Sequence, residues 1–356
     1  MVDVSYLDTP GAAAVDADNL SAILRQFPDQ LVAASHEFAK LKLPAGFSNA
    51  SQVVFCGMGG SAIGAEVASD LLVELIRKPL LVVREYELPK FVGPDTLVVV
   101  VSYSGDTEEP LACFKEALSR KCMLLAVAGG GKLASEAKAA KVPLYQFDYQ
   151  TQPRDAFGYL FAPLVRVLEL AGVLQTKEAS LKLAITATQE LTKQFNVNVP
   201  TVKNLAKRLA YQVYDHVPLV ASSSLLRGVA RRWKNQFNEH SKSAAFYDIL
   251  PELDHNTVEG FNAPSRFHDD VIVFILNSSY DRPEISQRAQ LFYQFLSKDH
   301  VLVEVVEPPS AGDLWAEKLS LLLLGDWVSY YLALLYRVNP TPVLVIDKLK
   351  SQLRKG

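Results

Sequence analysis

The sequence predicts an α/β protein with two mostly parallel sheets, each flanked by helices in the doubly wound, flavodoxin-like arrangement. Short apolar runs alternate with helical patterns along most of the chain, the order typical of βαβ units. Most of these runs are apolar throughout, as expected for strands covered on both faces. The alternation occurs twice, on either side of a helical stretch, and 356 residues are enough for two domains.

The first block begins after an amphipathic helix predicted over Asp18–Lys40, where apolar residues recur with a period near 3.6. Its elements follow in the order strand, helix, strand, strand, helix, strand, helix, strand. The corresponding segments are "QVVFCG", "AEVASDLLVELI", "PLLVVREY", "TLVVVVSYSG", "EPLACFKEALSR", "CMLLAVAGGG", "KLASEAKAA" and "VPLYQFD".

The second block follows a helical region over Ala156–Phe195, which is predicted to break near Gly172. It contains the strand "HVPLVASSS", the helix "LLRGVARRWKNQFNEHSK", the strands "DDVIVFILNSS" and "HVLVEVVE", and an apolar helix near 319–336. In both blocks a strand runs into a small-residue turn and then a helix. We therefore predict a helical lead-in, a first domain, connecting helices, and a second domain with a C-terminal helix, at 1–44, 45–150, 151–199 and 200–356.

Composition and charge argue against several classes of protein. The 36 basic and 39 acidic residues form no basic stripe, so we expect no nucleic-acid partner. The three cysteines form no Cys-x-x-Cys pair and the six histidines are scattered, so we predict neither disulfides nor a structural zinc site. The first 20 residues lack the pattern of a signal peptide, and we expect a cytoplasmic protein.

The segment "LSLLLLGDWVSYYLALLY" reaches the length of a membrane span. Asp326 in its middle would be costly in hydrocarbon, and a helix that is apolar all round also suits a protein core or a subunit interface. We predict the core or interface and no membrane.

The glycine-rich stretch "CGMGGSAIGAE" lies between a predicted strand and a helix. Such a turn places backbone N–H groups and a helix N-terminus together, where an anion is favoured, and Gly57, Gly59 and Gly60 let the backbone approach it closely. The spacing G-x-G-G-x-x-x-G departs from the dinucleotide pattern G-x-G-x-x-G, although Glu85 stands where a ribose-binding acid would lie. This turn alone therefore predicts a phosphate ligand and leaves open whether it belongs to a nucleotide or to another compound.

A second strand end, "VVVVSYSGDTEEP", favours a phosphate monoester. Ser102, Ser104 and Thr107 cluster around Gly105 just before a predicted helix. Hydroxyls and amides from two strand ends can surround the three terminal oxygens of a monoester, whereas nothing in this loop offers a groove for adenine. The alternative is that these residues only cap the helix, as serine and threonine often do.

Together, "GMGGSAIG" and "SYSGDTEE" resemble the sugar isomerase (SIS) domain. Three further stretches, "PRDAFGYL", "KNQFNEHSKSAAFYDILPELDHN" and "NPTPVLVIDKLK", are similar to the bifunctional phosphoglucose/phosphomannose isomerases of bacteria and archaea, and the matches span 57–350. The resemblance implies two SIS-type domains and a metal-independent enzyme without a cofactor. Its substrates would be glucose 6-phosphate, fructose 6-phosphate and also mannose 6-phosphate, interconverted through a cis-enediol.

The resemblance also implies roles for individual residues. Glu239 matches the base, and Arg154 an arginine near the enediolate. His255 matches a ring-opening histidine that enters from the neighbouring subunit, which implies a homodimer. Thr341 matches a threonine that assists discrimination between epimers, and Lys348 a lysine near the ring oxygen. The phosphate role is assigned to the two loops, namely Gly60, Ser61, Ser102, Ser104 and Thr107.

One departure from the family pattern lies beside the base. Many relatives have Asn-Ala-Lys where this chain has "HSK", so His240 adds a titratable group that could alter the pKa of Glu239. Three alternatives also remain open at this point. The chain could isomerise another phosphosugar, it could be a non-catalytic SIS sensor that binds a phosphosugar and reports it to a partner, or it could be a dinucleotide-binding enzyme.

Overall fold

The computed structural model describes residues 5–70, 75–174, 178–264, 266–310 and 312–353. Its first sheet has five parallel strands in the order β2-β1-β3-β4-β5. The strands are β1 (Gln52–Cys56), β2 (Leu80–Val83), β3 (Thr96–Ser102), β4 (Met123–Ala128) and β5 (Leu144–Gln146). All of β3 is buried, because helices cover both faces of the sheet.

The second sheet has four parallel strands in the order β7-β6-β8-β9. They are β6 (Val217–Ser223), β7 (Phe246–Leu250), β8 (Val271–Leu276) and β9 (Leu302–Val306). Its order repeats that of the first sheet, with β6 in the place of β1, β7 of β2, β8 of β3 and β9 of β4. The predicted fold class of two parallel sheets flanked by helices is confirmed, while the division into four segments stays a prediction.

The helices of the described residues lie before, between and after these strands. They are α1 (Pro10–Ala13), α2 (Leu20–Arg25), α3 (Phe27–Ala39), α4 (Gly59–Ser69), α5 (Glu108–Ser119), α6 (Gly131–Ala139), α7 (Phe157–Leu170), α8 (Glu178–Gln194), α9 (Leu205–Val213), α10 (Arg227–Glu239), α11 (Phe267–Asp270), α12 (Pro283–Lys298), α13 (Leu314–Leu335) and α14 (Leu344–Leu353).

Several predicted bounds were wrong. The helix expected over Asp18–Lys40 is two helices, α2 and α3, which meet at Gln26. Pro28 explains the break, because proline fits the first turn of a new helix and not the interior of a continuous one. Helix α4 begins at Gly59, earlier than predicted, and residues 71–74 of that prediction lie outside the described residues. The sequence reading also missed β7, α9 and α12.

Helix α13 is the apolar segment with the length of a membrane span, and all of its residues are buried inside the protein. It packs against α8, α9 and α10. Its one central charge, Asp326, faces Arg232 of α10 in a paired arrangement, with Nε–Oδ1 and Nη2–Oδ2 distances of 2.9 and 2.8 Å. This ion pair accounts for a carboxylate in an apolar helix, since a buried charge requires a hydrogen-bonded partner.

One apolar core joins the two sheets through the helices between them. It includes Phe55 of β1, Leu160 of α7, Trp233 of α10, Leu323 of α13 and Phe274 of β8. Helix α4 packs against both α7 and α10. The carboxyl end of β1, where α4 begins, is thereby held against the segment that precedes α7.

Candidate functional site

The glycine-rich turn after β1 lies against the segment that carries Arg154. Gly60 is in the first turn of α4, and a Cβ at this position would lie 2.7 Å from the Arg154 backbone nitrogen and 2.8 Å from the Pro153 carbonyl carbon. No side chain fits in that space without a backbone shift. Gly60 therefore lets the predicted phosphate loop and Arg154 approach each other.

The second loop forms a chain of hydrogen bonds after β3. The Gly105 N–H donates to Ser102 Oγ at 3.1 Å, and the Ser102 hydroxyl donates to Thr107 Oγ1 at 3.2 Å. Gly105 has a φ of +74°, which favours glycine. Thr107 is the N-cap residue of α5, but its side chain makes no capping hydrogen bond. Its hydroxyl oxygen accepts from Ser102 and does not cap α5, which argues against a role in capping alone.

The two loops are connected to each other at this sheet edge. The Tyr103 N–H donates to Ser61 Oγ at 3.0 Å, so the first turn of α4 is tied to the end of β3. Ser61 and Ser102 are buried, Thr107 is half-buried and Ser104 is exposed. Ser104 Oγ accepts from the Asp106 N–H at 3.2 Å. Hydroxyls from both loops therefore line one edge, an arrangement suited to binding the oxygens of an anion.

A second group of predicted residues meets at the end of α10. Arg154 is 3% exposed, and its Nη1 donates to Glu239 Oε2 at 3.2 Å. Its Nη2 donates to the carbonyl oxygens of Pro340 and Thr341 at 3.1 and 2.7 Å. The structure thus brings together three predicted residues, Arg154, Glu239 and Thr341, from distant parts of the chain. The Glu239 side chain stays 25% exposed and can reach a substrate.

Arg154 is fixed from its inner side by buried polar groups. Its Nε lies 3.5 Å from Asp155 Oδ2, and Arg232 Nη2 donates to the Arg154 carbonyl oxygen at 3.0 Å. Burial alone would raise the pKa of Asp155, but Arg154 and His240 outweigh it and lower that pKa, so Asp155 is a carboxylate at neutral pH. The guanidinium that faces Glu239 therefore has little freedom to move.

His240 is directed away from the Glu239 carboxylate. Its ring is fully buried, with Nε2 3.0 Å from Asp155 Oδ1 and Nδ1 3.0 Å from Ser329 Oγ. The Ser329 hydroxyl donates to the Asp326 carbonyl oxygen at 2.9 Å, so it accepts from His240. His240 thus connects Asp155 with α13, and its ring makes no hydrogen bond or ion pair with Glu239 among the described residues.

His255 and Lys348 lie apart from this group. His255 ends a 3-10 turn over Glu252–His255 and is exposed, and Lys348 is exposed on α14. Within the described parts of the chain, no hydrogen bond or ion pair joins either side chain to Glu239 or Arg154. A single chain therefore assembles Arg154, Glu239, Thr341 and the two loops, and leaves these two residues at its surface.

Comparison with known proteins gives the family. A family model described as the bacterial phospho-glucose isomerase C-terminal SIS domain matches residues 202–353. The bifunctional phosphoglucose/phosphomannose isomerase of Aquifex aeolicus is 35% identical over 304 residues, which are 85% of this chain and 90% of the relative. The enzyme of the same name from Caldicellulosiruptor bescii is 32% identical over 92% of this chain and 96% of its own.

The chain belongs to the bifunctional phosphoglucose/phosphomannose isomerase family. The crystal structure of a glucose-6-phosphate isomerase like protein from Thermus thermophilus has the same fold, with a TM-score of 0.64 and 20% identity. That similarity covers 97% of this chain and 100% of the Thermus chain. The resemblance and the fold class inferred from the sequence motifs are both confirmed.

Lys242 is a candidate site residue of this isomerase-family chain that the sequence reading missed. Its Nζ donates to the carbonyl oxygens of Glu239 and Pro340, at 2.5 and 3.1 Å. Desolvation, followed by repulsion from Arg154, lowers the pKa of Lys242 to about 8. Its position three residues after Glu239 was the one sign in the sequence of a place near the base. The sequence could not show that Lys242 itself has a φ of +59° and turns the chain back toward Glu239.

Proposed function

We propose that this protein interconverts glucose 6-phosphate and fructose 6-phosphate, and mannose 6-phosphate and fructose 6-phosphate, by proton transfer through a cis-enediol. The observation that carries the proposal is the half-buried Glu239 carboxylate held by the buried Arg154 guanidinium, beside two hydroxyl-lined loops. A base, a fixed cation and an anion site are what isomerisation of a phosphosugar requires. The curated relatives of the same family support this reaction.

In the proposed mechanism the loops bind the phosphate group and orient the open-chain sugar. Glu239 removes the proton from C2 of the aldose, and the electron pair forms the enediol double bond as the carbonyl oxygen at C1 gains negative charge. Arg154 remains charged in this confined position and stabilises that oxygen. The hydroxyl proton on O2 passes to O1, and the protonated Glu239 returns its proton to C1. The double bond then shifts from C1–C2 to C2–O2, which completes the ketose and regenerates the carboxylate.

One base can serve both epimers if the open chain rotates about C2–C3, because either C2 proton then points at Glu239. Thr341 is placed to influence that rotation. Its backbone carbonyl binds Arg154, and its hydroxyl is buried with no hydrogen-bond partner among the described residues. A buried hydroxyl of this kind can bind a sugar hydroxyl, and we propose this as its role in epimer discrimination.

The remaining two predicted residues act in a homodimer in this proposal. His255 of one subunit would complete the site of the other and open the sugar ring, with Lys348 near the ring oxygen. Helix α14 exposes several apolar side chains, as expected of a surface covered by a second copy. They include Leu344 at 74%, Val345 at 83% and Leu353 at 64%. An apolar groove of about 480 Å³, lined by Leu291, Phe292 and Phe295, adjoins Asp254, next to His255.

A complementation experiment tests the shared site. Glu239→Gln and His255→Ala homodimers should each be inactive, but a heterodimer keeps one site with both native residues. A reassociated equimolar mixture should therefore regain about a quarter of the wild-type activity. No recovery from a mixture shown to contain heterodimers would place both residues in the same subunit's site.

The function itself is tested by coupled assays on fructose 6-phosphate. Glucose 6-phosphate and mannose 6-phosphate should both appear, with unchanged rates in the presence of a chelator, because the proposed steps use side chains and no metal. If neither product forms, the protein is not this isomerase, and if only glucose 6-phosphate forms, the second activity is refuted. We further propose a cytoplasmic location, where these sugar phosphates are metabolised.

A further inference from the structure

The second half of the chain contains a serine loop at the position that corresponds to the second loop of the first half. Strand β8 takes the place of β3 in the strand order, and α12 follows it as α5 follows β3. The connecting segment is "NSSYD" at 277–281, where the first half has "YSGDT" at 103–107. We name residues 277–281 the second serine loop. Its position at the carboxyl ends of parallel strands is where such sheets bind ligands.

The second serine loop binds a carboxylate side chain of the protein itself. Glu317, in the first turn of α13, is 3% exposed. Its Oε2 accepts from the Ser278 hydroxyl at 2.6 Å and from the Ser279 N–H at 3.1 Å, and its Oε1 accepts from the Ser279 hydroxyl. Two hydroxyls and an amide on one carboxylate are the donors that a phosphate group would need.

At the helix that follows β6, a carboxylate of the chain again lies where a bound anion would lie. In the first half, α4 follows β1 and forms one side of the proposed phosphate site, and α10 occupies the corresponding position after β6. The Gly228 N–H in the first turn of α10 donates to Asp70 Oδ2 at 2.5 Å. Asp70 belongs to the end of α4, so a carboxylate of the first half occupies this helix N-terminus. In the second half, the serine loop and the N-terminus of α10 therefore both bind carboxylates of the chain itself.

We propose that the second half contains an anion pocket of the same design as the first, in which the Glu317 carboxylate takes the place of a phosphate monoester. Removing that carboxylate opens a site for phosphate or a phosphomonoester. This inference rests on the proposed phosphate role of the loop with Ser102 and Thr107. It explains why a chain with two similar halves would bind one sugar phosphate.

The surroundings set the strength of the opened site. A cavity of about 390 Å³ adjoins Ser278, Ser279 and Glu317, which gives room for a phosphate group. Three acidic groups and a tyrosine also face this region, namely Asp281, Glu307, Asp313 and Tyr280. Burial raises the pKa of Asp281. Each of these carboxyl groups that is ionised weakens the binding of an anion.

The experiment compares thermal unfolding in inorganic phosphate and in chloride at equal ionic strength. Glu317→Ala should have a lower Tm than wild type in chloride, and its rise in Tm with phosphate should be at least about twice that of wild type, because ligand binding to the native state adds stability. Thr107→Val isolates the second site: the double variant Thr107→Val/Glu317→Ala should respond to phosphate and Thr107→Val alone should not. Glu317→Ser also vacates the space of the carboxylate and provides the same measurement if the alanine variant does not fold.

A matched control is Glu116→Ala, which also removes a carboxylate that accepts a backbone N–H, here from Leu88. It should lower the Tm without any added response to phosphate. Equal phosphate responses in wild type, Glu317→Ala and Glu317→Ser would overturn the inference. A wild type that does not respond, beside a double variant that does, would instead count against the proposed phosphate site of the first half.

Discussion

Replacing Asp326 with asparagine should cost the protein a large part of its stability while hardly changing the volume of the side chain. Asp326 is 1% exposed and binds Arg232, which is 2% exposed, through two hydrogen bonds. Gln236 donates a third at 2.9 Å. The substitution leaves the guanidinium buried between α10 and α13 without its hydrogen-bonded counter-charge.

The expected loss follows from the kind of pair that is broken. Removing one partner of a buried ion pair costs about 3–5 kcal/mol, and the weakened hydrogen bond from Gln236 adds about 1 kcal/mol. A folded domain is stable by only about 5–15 kcal/mol. The free energy of unfolding should thus fall by roughly a third or more.

Urea unfolding followed by circular dichroism measures this change. Glu190→Gln is the control, because the Glu190–Lys193 pair is exposed on both sides and surface pairs contribute little. The double variant Asp326→Leu/Arg232→Met should regain most of the stability, since apolar residues can replace a buried pair. It should still lose activity, because Arg232 also donates to the Arg154 carbonyl oxygen. If Asp326→Asn and Glu190→Gln are equally stable, the ion pair does not have the role assigned to it here.

Three further substitutions test the site. Thr107→Val should raise KM for fructose 6-phosphate more than it lowers kcat, because phosphate is bound alike in ground and transition states, and an unchanged KM in steady-state assays would contradict the loop's role. Lys242 loses its proton above about pH 8, so kcat/KM should fall there. The Lys242→Arg variant should shift this fall to higher pH, because a guanidinium stays charged. If the pH profile of Lys242→Arg is identical to that of the wild type, Lys242 is not the group whose charge the reaction needs. Gly60→Ala should lower kcat, because its Cβ would displace the Arg154 backbone, and wild-type kinetics would show that the close approach is dispensable.

The sequence was sufficient for eight of the nine strands of the described residues and for the loops that follow them. Buried parallel strands such as β3 are continuous apolar runs, and the glycines and serines after them lie at carboxyl strand ends, where the topology places them. Strand β7 was missed because its burial is mixed and its outward Phe246 is 60% exposed, so the segment shows neither a continuous nor an alternating pattern. Helix α3 was merged with α2 because both share one apolar period across Pro28.

The individual residues of the site could be predicted from the sequence, but the hydrogen bonds between them could not. Motif similarity suggested Arg154, Glu239 and Thr341 separately, and only the fold shows that one guanidinium binds the other two. His240 looked like a neighbour of the base that could change its pKa, yet it lies in the core on Asp155. Adjacency in sequence at the end of a helix does not determine direction, because successive side chains on a helix point about 100° apart.

Deuterium exchange at C2 in heavy water tests whether Glu239 is the single base for both sugars. Wild-type protein should introduce deuterium at C2 of both glucose 6-phosphate and mannose 6-phosphate, because one Glu239 carboxylate moves the proton for both epimers through a shared enediol. Glu239→Gln should abolish both exchanges together and still bind sugar phosphate, as measured by protection against thermal unfolding. Exchange that persists in Glu239→Gln, or that is lost for one epimer alone, would contradict a single base acting on both sugars.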